Sequence, residues 1–283
     1  MVKVVLVATA RQDRKARAFA ALHAGEPFVI PNPFDVGSAR MLAALGFKAL
    51  ATTSSGFAFT LGRLDCAATL EEVTAHTTAL DRATELPISV DLENGYGPTP
   101  EHAAAAIRSV AAAGAVGGSI EDYDPEAGIY EQQRAVERVA AAVEAARAVG
   151  FPFALTARAE NHIRGNPDLD DTIARLRAYG EAGADVLYAP GLRDAEEIRA
   201  VCEGVAKPVN VLANPGLSVA EIFDAGAQRV SVGGSLTWVA VKAMADAAVA
   251  IRDHGDLSGL SARVPLDKWF AGVPSGSEPQ GIE

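Results

Sequence analysis

Short β-rich apolar runs alternate with longer alanine-rich stretches of helical periodicity along most of the chain. The runs are Phe28 to Pro31, Ala49 to Thr53, Ile88 to Asp91, Gly118 to Glu121, Phe153 to Arg158, Val186 to Ala189, Pro208 to Leu212 and Arg229 to Val232. After the fourth run, Val136, Val139, Ala140, Val143 and Ala146 keep the spacing of one apolar helix face, while Glu137, Arg138, Glu144 and Arg147 fall elsewhere. Helix starts are marked. Thr69, Asp194 and Ser218 each have a glutamate three residues later, the capping-box spacing, and Thr99 precedes Pro100 as an N-cap precedes proline at the first helical position. Ends are marked too: Gly46, Gly114, Gly150, Gly183 and Gly226 each fall just before a run, where a helix needs a left-handed residue to terminate.

Eight β/α units with no linker and no shift in composition predict a single-domain α/β protein, a (β/α)8 TIM-type barrel over residues 27–255. An open doubly wound sheet is the alternative, but no Gly-x-Gly-x-x-Gly follows the first run. Residues 1–26 read as an N-terminal helical extension and residues 256–283 as a C-terminal extension whose polar end, from Pro265, is expected to be mobile.

With 283 residues, 49% of them apolar, the chain can bury an ample core. Its net charge of −11, without a long basic run, excludes nucleic acid and membrane surfaces as expected partners. No stretch approaches the roughly 20 apolar residues that span a bilayer. MVKVVLVATA resembles a signal core, but its basic residues follow rather than precede it. With only Cys66 and Cys202, a reducing, cytoplasmic compartment is expected.

In a barrel of this kind chemistry sits where strands end. The second run leads into Thr52-Thr53-Ser54-Ser55-Gly56, the third into Asp91-Leu92-Glu93-Asn94-Gly95-Tyr96-Gly97, the fourth into Glu121-Asp122, and the fifth into Arg158-Ala159-Glu160-Asn161. Carboxylates crowded at one mouth repel one another unless a cation neutralises them, and hard oxygen donors favour Mg²⁺ or Mn²⁺. Any one of these acids could be an ordinary cap or solvated loop residue; their joint occurrence argues for the metal. Arg158 would point into the mouth, either to hold a substrate carboxylate or to pair with a neighbouring acid.

Absences narrow the chemistry. None of the six lysines ends a run, which disfavours a Schiff base, and no His-x-His or His-Glu-x-x-His pattern supports a catalytic zinc. His23, His76, His102 and His254 fall in helical or terminal stretches, while His162 follows the fifth run without a partner motif. Gly233-Gly234-Ser235 could cradle a phosphate, although the matching glycines after the seventh run are missing.

At these residues the sequence resembles the isocitrate lyase and phosphoenolpyruvate mutase superfamily, from about Phe28 to Ile251. Pro31-Asn32-Pro33-Phe34-Asp35, Ser54-Ser55-Gly56, Leu61-Gly62-Arg63-Leu64-Asp65, Ser119-Ile120-Glu121-Asp122 and Thr156-Ala157-Arg158 carry the likeness. Asp91 to Gly97 is similar to Asp-x-Asp-x-Gly-Tyr-Gly, with Glu93 in place of the second aspartate. The resemblance implies that Asp91 ligates Mg²⁺ directly and that Asp65, Glu93 and Glu121 hold its waters. It further implies that Ser55, the Gly56 and Phe57 amides, Arg158 and Asn210 contact a 2-oxo acid, and that the protein is a homotetramer exchanging its last helix.

The departures are informative. The loop Tyr123 to Tyr130 lacks the Cys, Lys and His of isocitrate-type gating loops and the Lys and Asn of the carbon–phosphorus enzymes. Cys66 lies outside it and reads as a small buried hydrophobe. Tyr188-Ala189-Pro190 and Leu236-Thr237-Trp238 lack the glutamate and arginine that the lyases use for further carboxylates. The expectation is a Mg²⁺-dependent carbon–carbon lyase acting on a small 2-oxo acid through a metal-stabilised enolate, with Arg158, Asp65 and Tyr123 or water as catalytic groups. Carbon–phosphorus chemistry and a 2-oxo-acid-binding protein with little turnover are the alternatives.

Overall fold

A computed structural model describes residues 9–271, so the leader-like residues 1–8 and the tail from residue 272 lie outside the described residues. Among the described residues ten strands form: β1 (Phe28–Ile30), β2 (Leu50–Ala51), β3 (Ile88–Asp91), β4 (Gly117–Glu121), β5 (Tyr123–Asp124), β6 (Gly128–Ile129), β7 (Ala154–Arg158), β8 (Val186–Tyr188), β9 (Val209–Leu212) and β10 (Arg229–Ser231). Eight of them, all parallel, pair in the order β1-β10-β9-β8-β7-β4-β3-β2 and correspond to the eight expected runs. The remaining gap is bridged by the Ala51 amide donating to the Pro31 carbonyl (3.1 Å) and by Asn32 Nδ2 donating to the Thr52 carbonyl (2.9 Å). The molecule is therefore a (β/α)8 barrel.

Around it lie α1 (Ala10–Ala24), α2 (Val36–Ala44), α3 (Ser54–Thr60), α4 (Leu70–Ala83), α5 (Pro100–Ala112), α6 (Gln132–Ala148), α7 (Leu169–Glu181), α8 (Ala195–Gly204), α9 (Val219–Asp224), α10 (Ser235–His254) and α11 (Leu266–Trp269). Thr69 and Ser218 form the expected reciprocal capping boxes. Asp194 caps α8 alone, because Glu197 turns instead to the Arg193 guanidinium and amide. The five predicted terminating glycines all have φ between 83° and 108°, the left-handed region. At Gly114 space adds to conformation: a Cβ would lie 2.5 Å from Asp81 Cγ.

Strand alternation sets which side chains face the barrel axis. Leu155 and Ala157 of β7 join the apolar layer under the helices, whereas Thr156 and Arg158 turn inward. The amino-terminal end of the barrel is closed by α1. Gln12 donates to the Ala111 and Ala115 carbonyls, Lys15 to the Thr84 carbonyl, and Gln228 returns bonds to Leu22 and Gly25. Phe19 and Ala16 are fully buried beneath the strands. On the far side, α10 buries only Thr237 of its 20 residues, and Trp238, Val239, Met244 and Val249 stand exposed.

Candidate active site

A cavity of about 60 Å³ opens among the strand ends, lined by Asn32, Thr52, Thr53, Ser89, Asp91, Ser119, Arg158, Tyr188, Asn210, Arg229, Ser231 and apolar Ile30 and Ala51. Asp91 closes β3, where its amide donates to Thr52 Oγ1 (2.8 Å). Its carboxylate accepts only long bonds, from the Ser54 amide (3.3 Å), the Glu93 amide (3.3 Å) and Ser119 Oγ (3.4 Å). Much of its acceptor capacity thus remains for something in the cavity.

The next turn coils back on itself, with Glu93 and Tyr96 at φ 48° and 61°. Buried Arg138 of α6 pins it by donating to the carbonyls of Asn94, Gly97 (2.8 Å) and Thr99 (2.9 Å). Glu93 is left 8% exposed, and burial, then Asp91 and Asp65, push its carboxyl up to about 8. Glu121, 6% exposed, is raised well above the usual range, first by burial and then by Glu160, Asp91 and Glu93 against the pull of Arg158. The acids destabilise one another's charge, as they would where a cation is expected.

Of the two roles anticipated for Arg158, pairing with neighbouring acids is the one formed. Arg158 lines the cavity, and it pairs with Glu121 (3.3 Å) and with fully buried Glu160 while its guanidinium lies 5.2 Å from the Tyr188 ring centre. Burial alone would lower its pKa, but Glu121 and Glu160 outweigh burial and hold it well above the ordinary value. Glu160 also accepts from Arg164 (2.9 Å), and its amide donates to Asp122 (2.7 Å), which itself takes the Tyr179 hydroxyl and Arg175.

Arg229 also lines the cavity, 5% exposed and, among the described residues, paired with no carboxylate. Its donors go to Asn210 Oδ1 (2.7 Å), Thr156 Oγ1 (3.0 Å) and His23 Nε2 (3.1 Å). Burial lowers its pKa to about 10. It opens β10, so an inspection of strand carboxyl ends passes over it.

The profile of the phosphoenolpyruvate phosphomutase family matches residues 19–252. The chain belongs to that family. A solved Burkholderia cenocepacia protein described only as a lyase or mutase is 50% identical, with a TM-score of 0.90 over 94% of this chain and 98% of that one. The oxaloacetate acetylhydrolase complex with its product oxalate is 26% identical, with a TM-score of 0.81 over 92% and 94%. An uncharacterised Mycobacterium tuberculosis protein is 32% identical over 83% of this chain and 88% of its own. Oxaloacetate decarboxylase 2 of Pseudomonas fluorescens (82% and 81%) and 2-methylisocitrate lyase of Halalkalibacterium halodurans (80% and 78%) are each 30% identical.

Of the site positions expected for this phosphoenolpyruvate mutase family member, Asp91, Arg158 and Asn210 line the cavity, while Glu93 and Glu121 are buried close behind them. Asp65 lies on an exposed loop, near enough to Glu93 to raise its pKa. Ser55 sits at the start of α3, its hydroxyl 3.2 Å from Thr53 Oγ1. The Gly56 and Phe57 amides are not free for a carboxylate, because Thr53 caps them through Oγ1 (3.3 Å) and its carbonyl (3.0 Å). Tyr123 is outside the cavity lining and stacks under Arg164, 3.9 Å from its ring centre.

One reading is overturned and two features are specified. Cys66 is an exposed residue, not a buried hydrophobe, and adopts φ 64°; partial desolvation, then Glu93 and Asp65, push its thiol up to about 12. The phosphate cradle does not form, since Asn32 Oδ1 takes the Val232 (2.9 Å) and Gly233 (3.0 Å) amides. The loop after β4 is a β5–β6 hairpin, held by the Tyr130 hydroxyl on Asp124 (2.9 Å).

A divalent cation suits this donor set. Among the described residues no three His, Cys, Asp or Glu side chains form a metal cage. An ion that keeps several waters and takes one or two carboxylates directly, as Mg²⁺ does, matches one cavity-facing aspartate backed by mutually repelling acids.

Proposed function

We propose that the protein is a Mg²⁺-dependent lyase that cleaves a carbon–carbon bond of a small 2-oxo acid, by decarboxylation or retro-aldol chemistry. The observation that carries this reading is one small cavity in which Asp91, backed by buried Glu93 and Glu121, faces Arg158. Asp91 would hold the cation directly, with Asp65, Glu93 and Glu121 acting through its waters. When bound, the cation supplies positive charge beside a carbonyl oxygen that becomes negative. Arg158, fixed by two acids and a tyrosine ring, offers its remaining N–H groups to a substrate carboxylate. Ser89, Ser119 and Thr52 supply short polar contacts that leave room for a compact substrate. A neutral CO₂ leaves without needing a partner, and water returns the proton, since Tyr123 stands outside the cavity wall.

The relatives support this class, two of them being named for oxaloacetate chemistry. We further propose a homotetramer built on the exposed apolar face of α10. Two free cysteines agree with a reducing compartment such as the cytoplasm. Oxaloacetate, phosphonopyruvate, 2-methylisocitrate and 4-hydroxy-2-oxo acids should be screened with Mg²⁺, following pyruvate or glyoxylate. Pyruvate from oxaloacetate or a 4-hydroxy-2-oxo acid, competitive inhibition by oxalate and silence on 2-methylisocitrate are expected. Turnover of 2-methylisocitrate on the order of 1 per second, or oxalate that fails to bind with Mg²⁺, refutes the reading.

A further inference from the structure

Arg229 is a buried cation whose partners among the described residues are all neutral: Asn210 Oδ1, Thr156 Oγ1 and His23 Nε2. Such a group is costly to bury, and in a purely structural place an apolar side chain of similar volume would serve as well. An arginine can only donate, so every acceptor it touches has its orientation set. His23 must offer a lone pair at Nε2, which places its proton on Nδ1, 2.9 Å from the Phe19 carbonyl. Asn210 must turn Oδ1 to the guanidinium and Nδ2 away from it. One Nδ2 hydrogen then goes to Ser231 Oγ (3.0 Å), and the second has no protein acceptor among the described residues, although Asn210 lines the cavity.

We propose that Arg229 is the positioning residue that locks Asn210 as a hydrogen-bond donor to an anionic oxygen of the bound ligand; this rests on the reading of the cavity as a 2-oxo acid site. Without Arg229 the amide can flip, accept from Ser231 and turn its lone pairs on the ligand. The two arginines thereby divide the work: Arg158 is already neutralised by Glu121 and Glu160, whereas Arg229 leaves a positive field at the cavity wall.

The test compares wild type, Arg229→Met, Arg229→Lys, Asn210→Ala and the Met/Ala double variant. Oxalate affinity with Mg²⁺ is measured by calorimetry, melting temperature is recorded, and side-chain amide signals of ¹⁵N-asparagine-labelled protein are assigned through Asn210→Ala. Arg229→Met should melt no lower than wild type yet bind oxalate at least about tenfold more weakly, the worth of one charge-assisted bond. Arg229→Lys should recover part of the loss, and Asn210→Ala should add nothing in the Arg229→Met background. Unchanged oxalate affinity in Arg229→Met, or losses that multiply, overturns the proposal. The amide signal decides independently of ligand: it should shift and broaden in Arg229→Met, and an unchanged signal refutes positioning. Failure of wild type to bind oxalate would instead sink the 2-oxo acid reading while the amide signal still judges Arg229. Should Arg229→Met not fold, Arg229→Gln, which removes the charge, supplies the comparison and Arg229→Lys remains the rescue.

Discussion

Removing the Asp91 carboxylate separates the proposed metal site from the fold. Its three acceptor bonds are 3.3 to 3.4 Å long, at the weak end of the range, so each contributes under about 1 kcal/mol. Loss of its charge also relieves Glu93 and Glu121, which it destabilises. These effects oppose each other, so metal-free Asp91→Ala should melt within a few degrees of metal-free wild type. A ligand present at about a hundred times its dissociation constant stabilises by about 2.7 kcal/mol, and in a protein this large each 1 kcal/mol moves the midpoint by roughly 2–4 °C. Saturating Mg²⁺ should therefore raise the wild-type melting temperature by about 5–10 °C and leave Asp91→Ala unmoved. Scanning calorimetry with and without Mg²⁺, beside steady-state turnover, reads both. A variant that keeps the Mg²⁺ shift, or a wild type that never shows one, refutes the assignment of Asp91. Glu93→Asp should lose less, because a carboxylate that acts through water tolerates about a methylene of slack.

Burial, reinforced at His23 by Arg229 and opposed at His76 by Asp35, lowers each of these histidines to about 4, against about 6.5 in an unfolded chain. A base depressed on folding lends stability present above the unfolded pKa and lost on acidification, so urea unfolding should weaken from about pH 6.5 to 4, by at most about 3 kcal/mol per histidine; a flat profile contradicts this. Gly117→Ala would place a Cβ 2.7 Å from Phe19 and 3.0 Å from the Ala154 carbonyl, and should cost about 1–3 kcal/mol in thermal unfolding; an unchanged midpoint would mean that α1 yields freely. Light scattering should find a tetramer, and Val239→Glu with Met244→Glu should dissociate it; monodisperse wild-type monomer defeats the assembly.

Much of the architecture was legible because its signals are local. Capping pairs such as Thr69 with Glu72, left-handed glycines before strands and runs ending in Asp91 or Arg158 all act within a few residues of themselves. What was not legible depends on distant partners. Glu197 leaves its capping partner for Arg193, and the Gly56 amide is used by Thr53 before any ligand can claim it. The inward turn of Arg229 follows from barrel register against Asn210 and from His23 reaching up from α1, contacts 19 and 206 residues away in sequence. The β5–β6 hairpin escaped notice because two-residue strands carry no periodicity.

The floor helix α1 has a consequence for the order of assembly. It leaves the ribosome before the strands of the barrel, yet its acceptors and donors lie 66 to 206 residues further along the chain. Closing loops of that length costs entropy that is recovered only once the strands exist, so α1 docks late although it is made early. Until then its apolar stripe, Ala16 and Phe19, waits in solvent beside Lys15, whose ammonium finds Asp81 and the Thr84 carbonyl only in the finished barrel. A helix made ahead of the strands it seals is thus the keystone set last, and the slowest phase of refolding should be the one that shields Phe19.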